Sequence, residues 1–171
     1  MTKIYSIERD NEAPSFSLEN FRELTCHIKQ DTSELVQGIK ESLLEIIDGE
    51  NNQKITKRSL IQRAPDFLFI KFVRFFWKQK EQVKAKILKK VKFPKTLDLS
   101  PYMISSSDEP VQYNLKAVLT HCGRSADSGH YIAWINESGN WWKLDDDRVS
   151  AVSEEDIMKL DGGGDWHMAY I

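Results

Sequence analysis

The order of apolar and polar residues divides the first half of the chain into three predicted segments. Residues 1–15 are polar and aperiodic, which predicts a flexible lead-in. Phe21 to Ile28 has the composition of a strand. A helix is predicted next, because apolar residues recur at helical spacing and Asp31 and Glu34 are spaced like a capping box; the helix ends near Gly49. The apolar stripe consists of Leu35, Ile39, Leu43 and Ile46/Ile47.

The middle of the chain carries its longest apolar run. Phe67 to Trp77 is hydrophobic on both faces of an extended chain, which predicts a central, buried strand. From Val83 to Phe93 apolar residues alternate with lysines, which is typical of a strand with one solvated face. Residues 94–110 are bounded by prolines and follow neither period, so we expect irregular structure there.

The last third is rich in predicted strands. They are Tyr113–Thr120, His130–Ile135, Trp141–Leu144 and Trp166–Ile171. A short helix from Ser153 to Leu160 interrupts them, with Ser153 as its N-cap. The whole pattern predicts an α+β fold with a mainly antiparallel sheet and one substantial helix, in a single domain over residues 16–171.

A histidine and three consecutive aspartates lie on the predicted hairpin that begins at His130. If residues 136–139 form a four-residue loop, His130 faces Asp145 on the partner strand, with Cβ atoms about 5 Å apart. A slip of one residue brings Asp146 opposite His130 instead. A carboxylate beside an imidazole fixes its tautomer and stabilises the imidazolium, so such a pair supplies two thirds of a cysteine-protease triad. The spacing leaves both aspartates open.

Composition narrows the classes of function. The chain has 171 residues with a formal net charge of −2, which argues against nucleic acid as the main ligand. No apolar run approaches the roughly 20 residues that span a bilayer, and residues 1–4 do not begin a signal peptide. The two cysteines, Cys26 and Cys122, form neither a disulfide framework nor a Cys₄ zinc site, so we expect a reducing compartment and no metal.

Four segments of the chain carry recognisable motifs. They are Tyr113–His121 with Gly123 and Ser128–Tyr131, Trp142–Ser150, Gly162–Tyr170 and Val73–Glu81. The first resembles the histidine box of the ubiquitin-specific proteases, the second resembles their acidic box, and the other two are similar to the proteasome-associated branch of that family. The likeness runs from about Leu18 to Ile171 and identifies the chain as similar to the C-terminal half of a catalytic domain, closest to the proteasome-associated branch. A departure is Leu144, where the family usually has an aromatic residue.

The resemblance implies the palm-and-finger portion of a papain-like cysteine protease fold. In that family the histidine of the Gly-His-Tyr motif is the general base, and the first aspartate of the acidic box orients it. These residues correspond to His130 and Asp145, with Asp146 beside them as a further catalytic candidate. Two loops, over residues 77–84 and 123–128, are expected to overhang the cleft. The substrate-binding residues implied are Gly129, Tyr131, Trp77, Arg124, Ser125 and Ser128.

The nucleophile of this family is a cysteine that opens a helix near the start of the catalytic domain, where the helix dipole favours the thiolate. Cys26 lies in a predicted strand and Cys122 opens a predicted loop, so we expect both thiols to be structural or incidental. The sequence therefore predicts a chain that holds the base and the orienting acid, lacks the nucleophile of a missing N-terminal half, and is inactive alone.

The function implied is that of a deubiquitinase, a thiol protease that cleaves isopeptide or peptide bonds at the C-terminal glycine of ubiquitin. The alternative is a module that binds ubiquitin or the proteasome without chemistry. The implied partners are ubiquitin, its conjugates and the 26S proteasome, with no cofactor, nucleic acid or membrane. The expected compartment is the cytoplasm, with the nucleus as a second location.

Overall fold

The computed structural model describes residues 1–9, 14–48, 54–105, 109–125, 128–164 and 166–171, and strands dominate it. The two α-helices are α1 (Leu35–Leu43) and α2 (Glu154–Met158). The strands are β1 (Thr2–Arg9), β2 (Ser15–Asn20), β3 (Leu24–His27), β4 (Leu44–Asp48), β5 (Lys54–Arg63), β6 (Ile70–Val73), β7 (Phe75–Lys78), β8 (Val83–Lys86), β9 (Thr96–Asp98), β10 (Gln112–Asn114), β11 (Ala117–Cys122), β12 (His130–Glu137), β13 (Asn140–Asp145), β14 (Arg148–Val152) and β15 (Met168–Ala169).

These strands form two larger sheets and three pairs. One sheet has the order β2-β1-β5-β4, and the other has the order β14-β13-β12-β11-β15. The pairs are β10-β9, β3-β6 and β7-β8, and only β3-β6 is parallel among the described strands. The α+β class, with a mainly antiparallel arrangement and one substantial helix, is therefore confirmed.

The five-stranded sheet carries the predicted hairpin and packs one face on the core. Alternate residues of β11 and β12 are buried, as the apolar alternation of the sequence requires. They are Val118, Thr120, Ile132 and Trp134. The indole N–H of Trp134 donates to the Thr120 hydroxyl at 2.9 Å, which pairs these two buried polar groups.

The turn between β12 and β13 is shorter than predicted. Ser138 and Gly139 form a two-residue turn with φ of 51° and 89°, and Glu137 pairs with Asn140. The expected four-residue loop over residues 136–139 is therefore wrong, and the register differs from the expected one by two residues. A shift of two preserves the face on which each side chain lies, because side chains alternate with a period of two.

Segments near the N-terminus differ most from the prediction. The expected lead-in over residues 1–15 contains β1, which pairs with both β2 and β5. The expected helix stops at Leu43, because residues 44–48 extend as β4 along β5. Its predicted capping box is also wrong: Glu34 is the N-cap and makes no side-chain cap bond.

The long apolar run is two strands and not one. β6 pairs only with β3 and β7 only with β8 among the described strands, so neither is central. Phe67 is 76% exposed and Trp77 is 55% exposed, which contradicts the predicted burial. The strand predicted from Val83 to Phe93 is confirmed only as far as Lys86, at the end of β8.

Arg74 separates β6 from β7 and is the reason that the run breaks. Its side chain is buried at 1% exposure and donates four hydrogen bonds to backbone carbonyls. Nε donates to Ala169 O at 2.6 Å, Nη1 to Lys89 O at 2.9 Å and to Ile87 O at 3.2 Å, and Nη2 to Asp161 O at 3.3 Å. Burial lowers the pKa of Arg74 to about 10. One guanidinium thus joins three segments that are distant in sequence.

The strand-rich last third agrees well with the prediction. Ser153 caps α2 as expected, since its hydroxyl accepts from the Asp156 N–H at 3.2 Å while its own N–H donates to the Asp156 carboxylate at 3.3 Å. The helix ends at Met158, earlier than predicted. Within the described ranges, no helix is long and apolar enough to cross a membrane.

Candidate active site

His130 and Asp145 meet at one edge of the five-stranded sheet. His130 is the first residue of β12, and Asp145 is the last residue of β13. The ladder between these strands extends from the turn as far as Ala133 opposite Leu144, and in its register the two side chains lie on the same face and approach each other diagonally. His130 Nε2 donates to Asp145 Oδ1 at 2.6 Å. The sequence predicted this contact correctly through a register that was wrong by two residues.

Lys143 holds the other oxygen of the same carboxylate. Its Nζ lies 2.8 Å from Asp145 Oδ2, and the side chain shares the face of Asp145 because it lies two residues earlier on β13. Asp145 is therefore fixed between a cation and the imidazole. Lys143 was not predicted from the sequence, although its position two residues before Asp145 on the same strand was a usable signal.

The charges of this group stabilise the protonated imidazole. The hydrogen bond with Asp145 raises the pKa of His130 above its ordinary value, and the nearby Asp146 charge acts in the same direction. In turn, hydrogen bonds from His130 and then from Lys143 lower the pKa of Asp145 from 3.8 to about 2. Asp145 consequently stays ionised at every pH where His130 titrates, as an orienting acid must.

Asp146 lies beside this pair without replacing Asp145. It occupies the tight turn from β13 to β14, where Asp145 pairs with Arg148, and its φ is 53°. One carboxylate oxygen of Asp146 lies within 4.8 Å of the ring nitrogen of His130 and of an oxygen of Asp145. The structure therefore brings the three predicted catalytic residues together, and the carboxylate that accepts the hydrogen bond from His130 is that of Asp145.

The same three residues are the one group in the described ranges with enough clustered ligand atoms for a metal ion. Two ligands of one tetrahedral Zn²⁺, each about 2.1 Å from the ion, stand about 3.4 Å apart. The nitrogen and oxygen of His130 and Asp145 are 2.6 Å apart, closer than an ion between them would allow. Their arrangement is that of a hydrogen-bonded acid–base pair.

The residues implied in substrate binding lie around the start of β12. Gly129 directly precedes His130 with φ of 149°, and Tyr131 is 47% exposed on the opposite face of the strand. Arg124 and Ser128 are exposed, and Ser125 forms an isolated bridge with Ala85 of β8. Trp77 is exposed on β7, the partner strand of β8. The bridge therefore brings the loop that precedes His130 next to the β7-β8 hairpin; residues 126–127 of that loop lie outside the described residues.

The two cysteines have different surroundings. Cys26 is fully buried in β3 against α1, and burial raises its pKa from 9.0 to about 12. Cys122, at the end of β11, is half-buried and directly opposite His130 in the β11-β12 ladder. Neither helix of the described ranges begins at a cysteine, so neither thiol has the helix N-terminus that favours a thiolate.

Comparison with known proteins decides the family. The model of the ubiquitin carboxyl-terminal hydrolase family matches residues 7–171. The chain belongs to this family. Ubiquitin carboxyl-terminal hydrolase 6 of Arabidopsis thaliana is 34% identical over an alignment that covers 92% of this chain and 47% of the relative. Ubiquitin carboxyl-terminal hydrolase 6 of Schizosaccharomyces pombe is 33% identical, with 94% of this chain and 50% of the relative covered.

A solved structure shows the same fold. A chain in the solved structure of the SAGA Ubp8/Sgf11/Sus1/Sgf73 DUB module bound to ubiquitin aldehyde superposes with a TM-score of 0.81 at 22% identity, over 99% of this chain and 39% of that chain. The predicted papain-like fold is thereby confirmed. The chain spans about half the length of the curated hydrolases that it matches. His130, Asp145 and Asp146 all lie inside the region that the family model matches.

Proposed function

We propose that this chain forms the part of a cysteine-type deubiquitinase that supplies the general base, His130, and its orienting acid, Asp145. The reaction is hydrolysis of the isopeptide or peptide bond at the C-terminal glycine of ubiquitin. The observation that carries the proposal is the 2.6 Å bond from His130 Nε2 to Asp145 Oδ1 within the matched region of a ubiquitin carboxyl-terminal hydrolase.

In the proposed reaction each ring nitrogen of His130 has one task. Because Nε2 donates to Asp145, the lone pair of Nδ1 is available to take a proton from a thiol. The resulting thiolate adds to the carbonyl carbon of the scissile bond, and His130 returns the proton to the departing amine as the bond breaks. Water, deprotonated by the same imidazole, then cleaves the thioester and releases the ubiquitin carboxylate and the thiol.

The nucleophile in this proposal comes from a segment outside the 171 residues. Cys26 is excluded by its burial, since a thiol with a pKa of about 12 is not ionised near neutral pH. Cys122 lies opposite His130, but it ends a strand and its thiol has no helix N-terminus to favour the thiolate. The chain alone is therefore expected to be inactive.

A ubiquitin derivative with an electrophile at its C-terminus tests this proposal directly. We expect no adduct with the chain alone, as measured by intact mass, and an adduct with the protein translated from the complete open reading frame. The control is Cys122→Ser in the chain alone. An adduct on the unsubstituted chain that this variant loses would make Cys122 the nucleophile and refute the assignment.

The base is tested in the protein from the complete reading frame. His130→Ala should remove turnover of a fluorogenic ubiquitin substrate, because loss of a general base costs on the order of 10²–10⁴-fold and more where the nucleophile depends on it. Ubiquitin binding should change little, since the imidazole acts on protons. The alternative function is a module that binds ubiquitin without chemistry. In that case the unsubstituted protein would bind ubiquitin but would neither be labelled by the electrophile nor turn over the fluorogenic substrate.

We also propose that the parent protein associates with the 26S proteasome and acts in the cytoplasm, with the nucleus as a second location. The support is the similarity of residues 73–81 and 162–170 to the proteasome-associated branch. Affinity purification of proteasomes from cells that express the tagged parent protein tests it. The parent protein should elute with the proteasome, and fluorescence of the tag should report the compartments.

A further inference from the structure

Lys86 has one of the few buried amino groups of the described chain. It lies at the end of β8 with 9% of its surface exposed. Its Nζ lies 2.8 Å from His121 Nδ1 and donates to His121 O at 2.9 Å and to Gly123 O at 2.8 Å. An ammonium group has three N–H donors, so these three acceptors use all of them. The amino group thus holds the end of β11 and the start of the loop that leads to His130.

His121 is fixed in one tautomer by this contact. Because Nδ1 accepts from the Lys86 ammonium, the ring proton is on Nε2. Burial, and then the charge of Lys86, lowers the pKa of His121, which keeps the ring neutral. The ring lies between two aromatic side chains, with centroid distances of 5.8 Å to Phe75 and 4.6 Å to Tyr131. It therefore has a defined position as well as a defined protonation state.

The far side of the His121 ring contacts Gly129. A Cβ added to Gly129 would stand less than 3.0 Å from Nε2 and Cε1 of His121 and from the Cys122 carbonyl oxygen. No side chain fits in that space, so the backbone of Gly129 lies directly on the ring. The next residue is His130. A continuous row of contacts therefore runs from Lys86 through His121 and Gly129 to His130.

We propose that Lys86 and His121 are positioning residues for His130 in the reaction assigned under the proposed function, on which this inference rests. Lys86 anchors the start of the loop at Gly123, and the His121 ring supports its end at Gly129. The bridge between Ala85 and Ser125 adds a contact from the same strand, β8. Strand β8 thus holds the start of the loop, and the His121 ring on β11, which Lys86 contacts, supports its end, so that the imidazole of His130 is directed at Asp145.

If Lys86 had a purely structural role, its substitution would lower the stability of the fold without changing the pKa of His130. If Lys86 positions His130, its substitution should change that pKa as well, because the hydrogen bond to Asp145 raises the pKa of His130. If the backbone at Gly129 moves, that bond forms in a smaller fraction of molecules and the pKa falls toward its ordinary value. Titration of His130 well below the melting temperature therefore distinguishes the two roles.

The test is an NMR titration of the imidazole signals of the ¹⁵N-labelled 171-residue chain, without substrate. Lys86→Met keeps the aliphatic side chain and removes all three donors. We expect it to lower the pKa of His130 by at least half of the decrease that Asp145→Asn produces. Lys84→Met, on the same strand at an exposed position, is the matched control and should leave the titration unchanged.

A second variant keeps the inference testable if Lys86→Met does not fold. His121→Asn retains an acceptor near the position of Nδ1 for Lys86 but removes the ring from beneath Gly129. It should also lower the pKa of His130. If His130 has the wild-type pKa in whichever of these two variants folds, the positioning role is wrong, even where the variant has a lower melting temperature.

Kinetics of the protein from the complete reading frame give the functional measurement. Lys86→Met should lower kcat at least tenfold and change KM by a smaller factor, because the imidazole of His130 acts on protons and contributes little to ubiquitin binding. An unchanged kcat would overturn the inference. Absence of turnover in the unsubstituted protein would refute the proposed function and leave the NMR result standing, so the two failures are distinguishable.

Discussion

Gly129→Ala is the substitution for which the structure sets the strongest expectation. Gly129 has φ of 149°, and a Cβ there would stand under 3.0 Å from the Cys122 carbonyl oxygen and from the His121 ring. A backbone conformation that L-residues rarely adopt costs an alanine about 1–2 kcal/mol. Overpacking against a fixed core costs about 1–3 kcal/mol more. We expect the free energy of unfolding to fall by roughly 2–5 kcal/mol.

A second glycine separates the two contributions. Gly139 has φ of 89° in the β12-β13 turn, and an added Cβ would meet nothing within 4 Å. Gly139→Ala should therefore cost only the backbone term of about 1–2 kcal/mol. The close neighbours of Gly129 cannot give way easily, since one is backbone and the other is the ring held by Lys86.

Urea unfolding followed by tryptophan fluorescence measures both variants under identical conditions. The slope of free energy against urea should be the same for both, so that the midpoints report stability alone. The reasoning fails if Gly129→Ala unfolds at the same urea concentration as Gly139→Ala, because the ring and the carbonyl would then be free to move aside. A folded Gly129→Ala chain should also show a lowered pKa at His130.

Three further expectations follow from the described contacts. Asp145→Asn should lower the pKa of His130 in an NMR titration. The substitution should also remove a contribution to stability that wild type has in full above pH 3.8 and loses as the pH falls through 2, because the pKa of Asp145 is about 2 against an ordinary 3.8. An acid-unfolding curve identical to that of wild type would contradict this expectation. Iodoacetamide should alkylate Cys122 well before the buried Cys26, and mass spectrometry that finds the reverse order would refute the burial. Ser153→Ala should cost about 1 kcal/mol in urea unfolding by removing a helix cap, and a loss below a few tenths would contradict the capping.

The parts of the fold that the sequence predicted are those decided by local chemistry. Ser153 followed by three acidic residues specifies a helix start within one turn. Strands β11 to β13 have clear alternation or aromatic content, and they are joined in sequence order, so their pairing needed no long-range information. His130 and Asp145 came together in the prediction because an error of two residues leaves each side chain on its own face.

The parts that the sequence did not predict depend on distant partners. β1 pairs with β5, more than forty residues later, and the charged residues of β5 give that strand no clear apolar face. Apolar residues at helical spacing continue past Leu43 in the sequence, yet residues 44–48 form a strand that pairs with β5. Ser138-Gly139 is a turn dipeptide, but a left-handed serine is uncommon, so the turn was predicted with four residues where the structure has two.

The positioning contacts of the site also had no sequence signal. Lys86 and His121 are separated by 35 residues, and Lys86 looked like one lysine among many on a solvated strand face. Only the fold shows that this side chain turns inward while its neighbour Lys84 is exposed. Residues that contact a catalytic group from the side away from the substrate are brought there by the tertiary fold, so their spacing in the sequence follows no pattern.

The buried guanidinium of Arg74 has a consequence for the order in which the protein can be made. Its acceptors at Asp161 and Ala169 are synthesised 87 and 95 residues after it. During translation this cation has no means of entering the interior at its final place, because burial without those carbonyls would leave a charge desolvated and unpaired. The aromatic segments on either side of Arg74 therefore stay exposed until the residues up to Ala169 have left the ribosome. During that interval the unburied Phe and Trp side chains of these segments are open to aggregation.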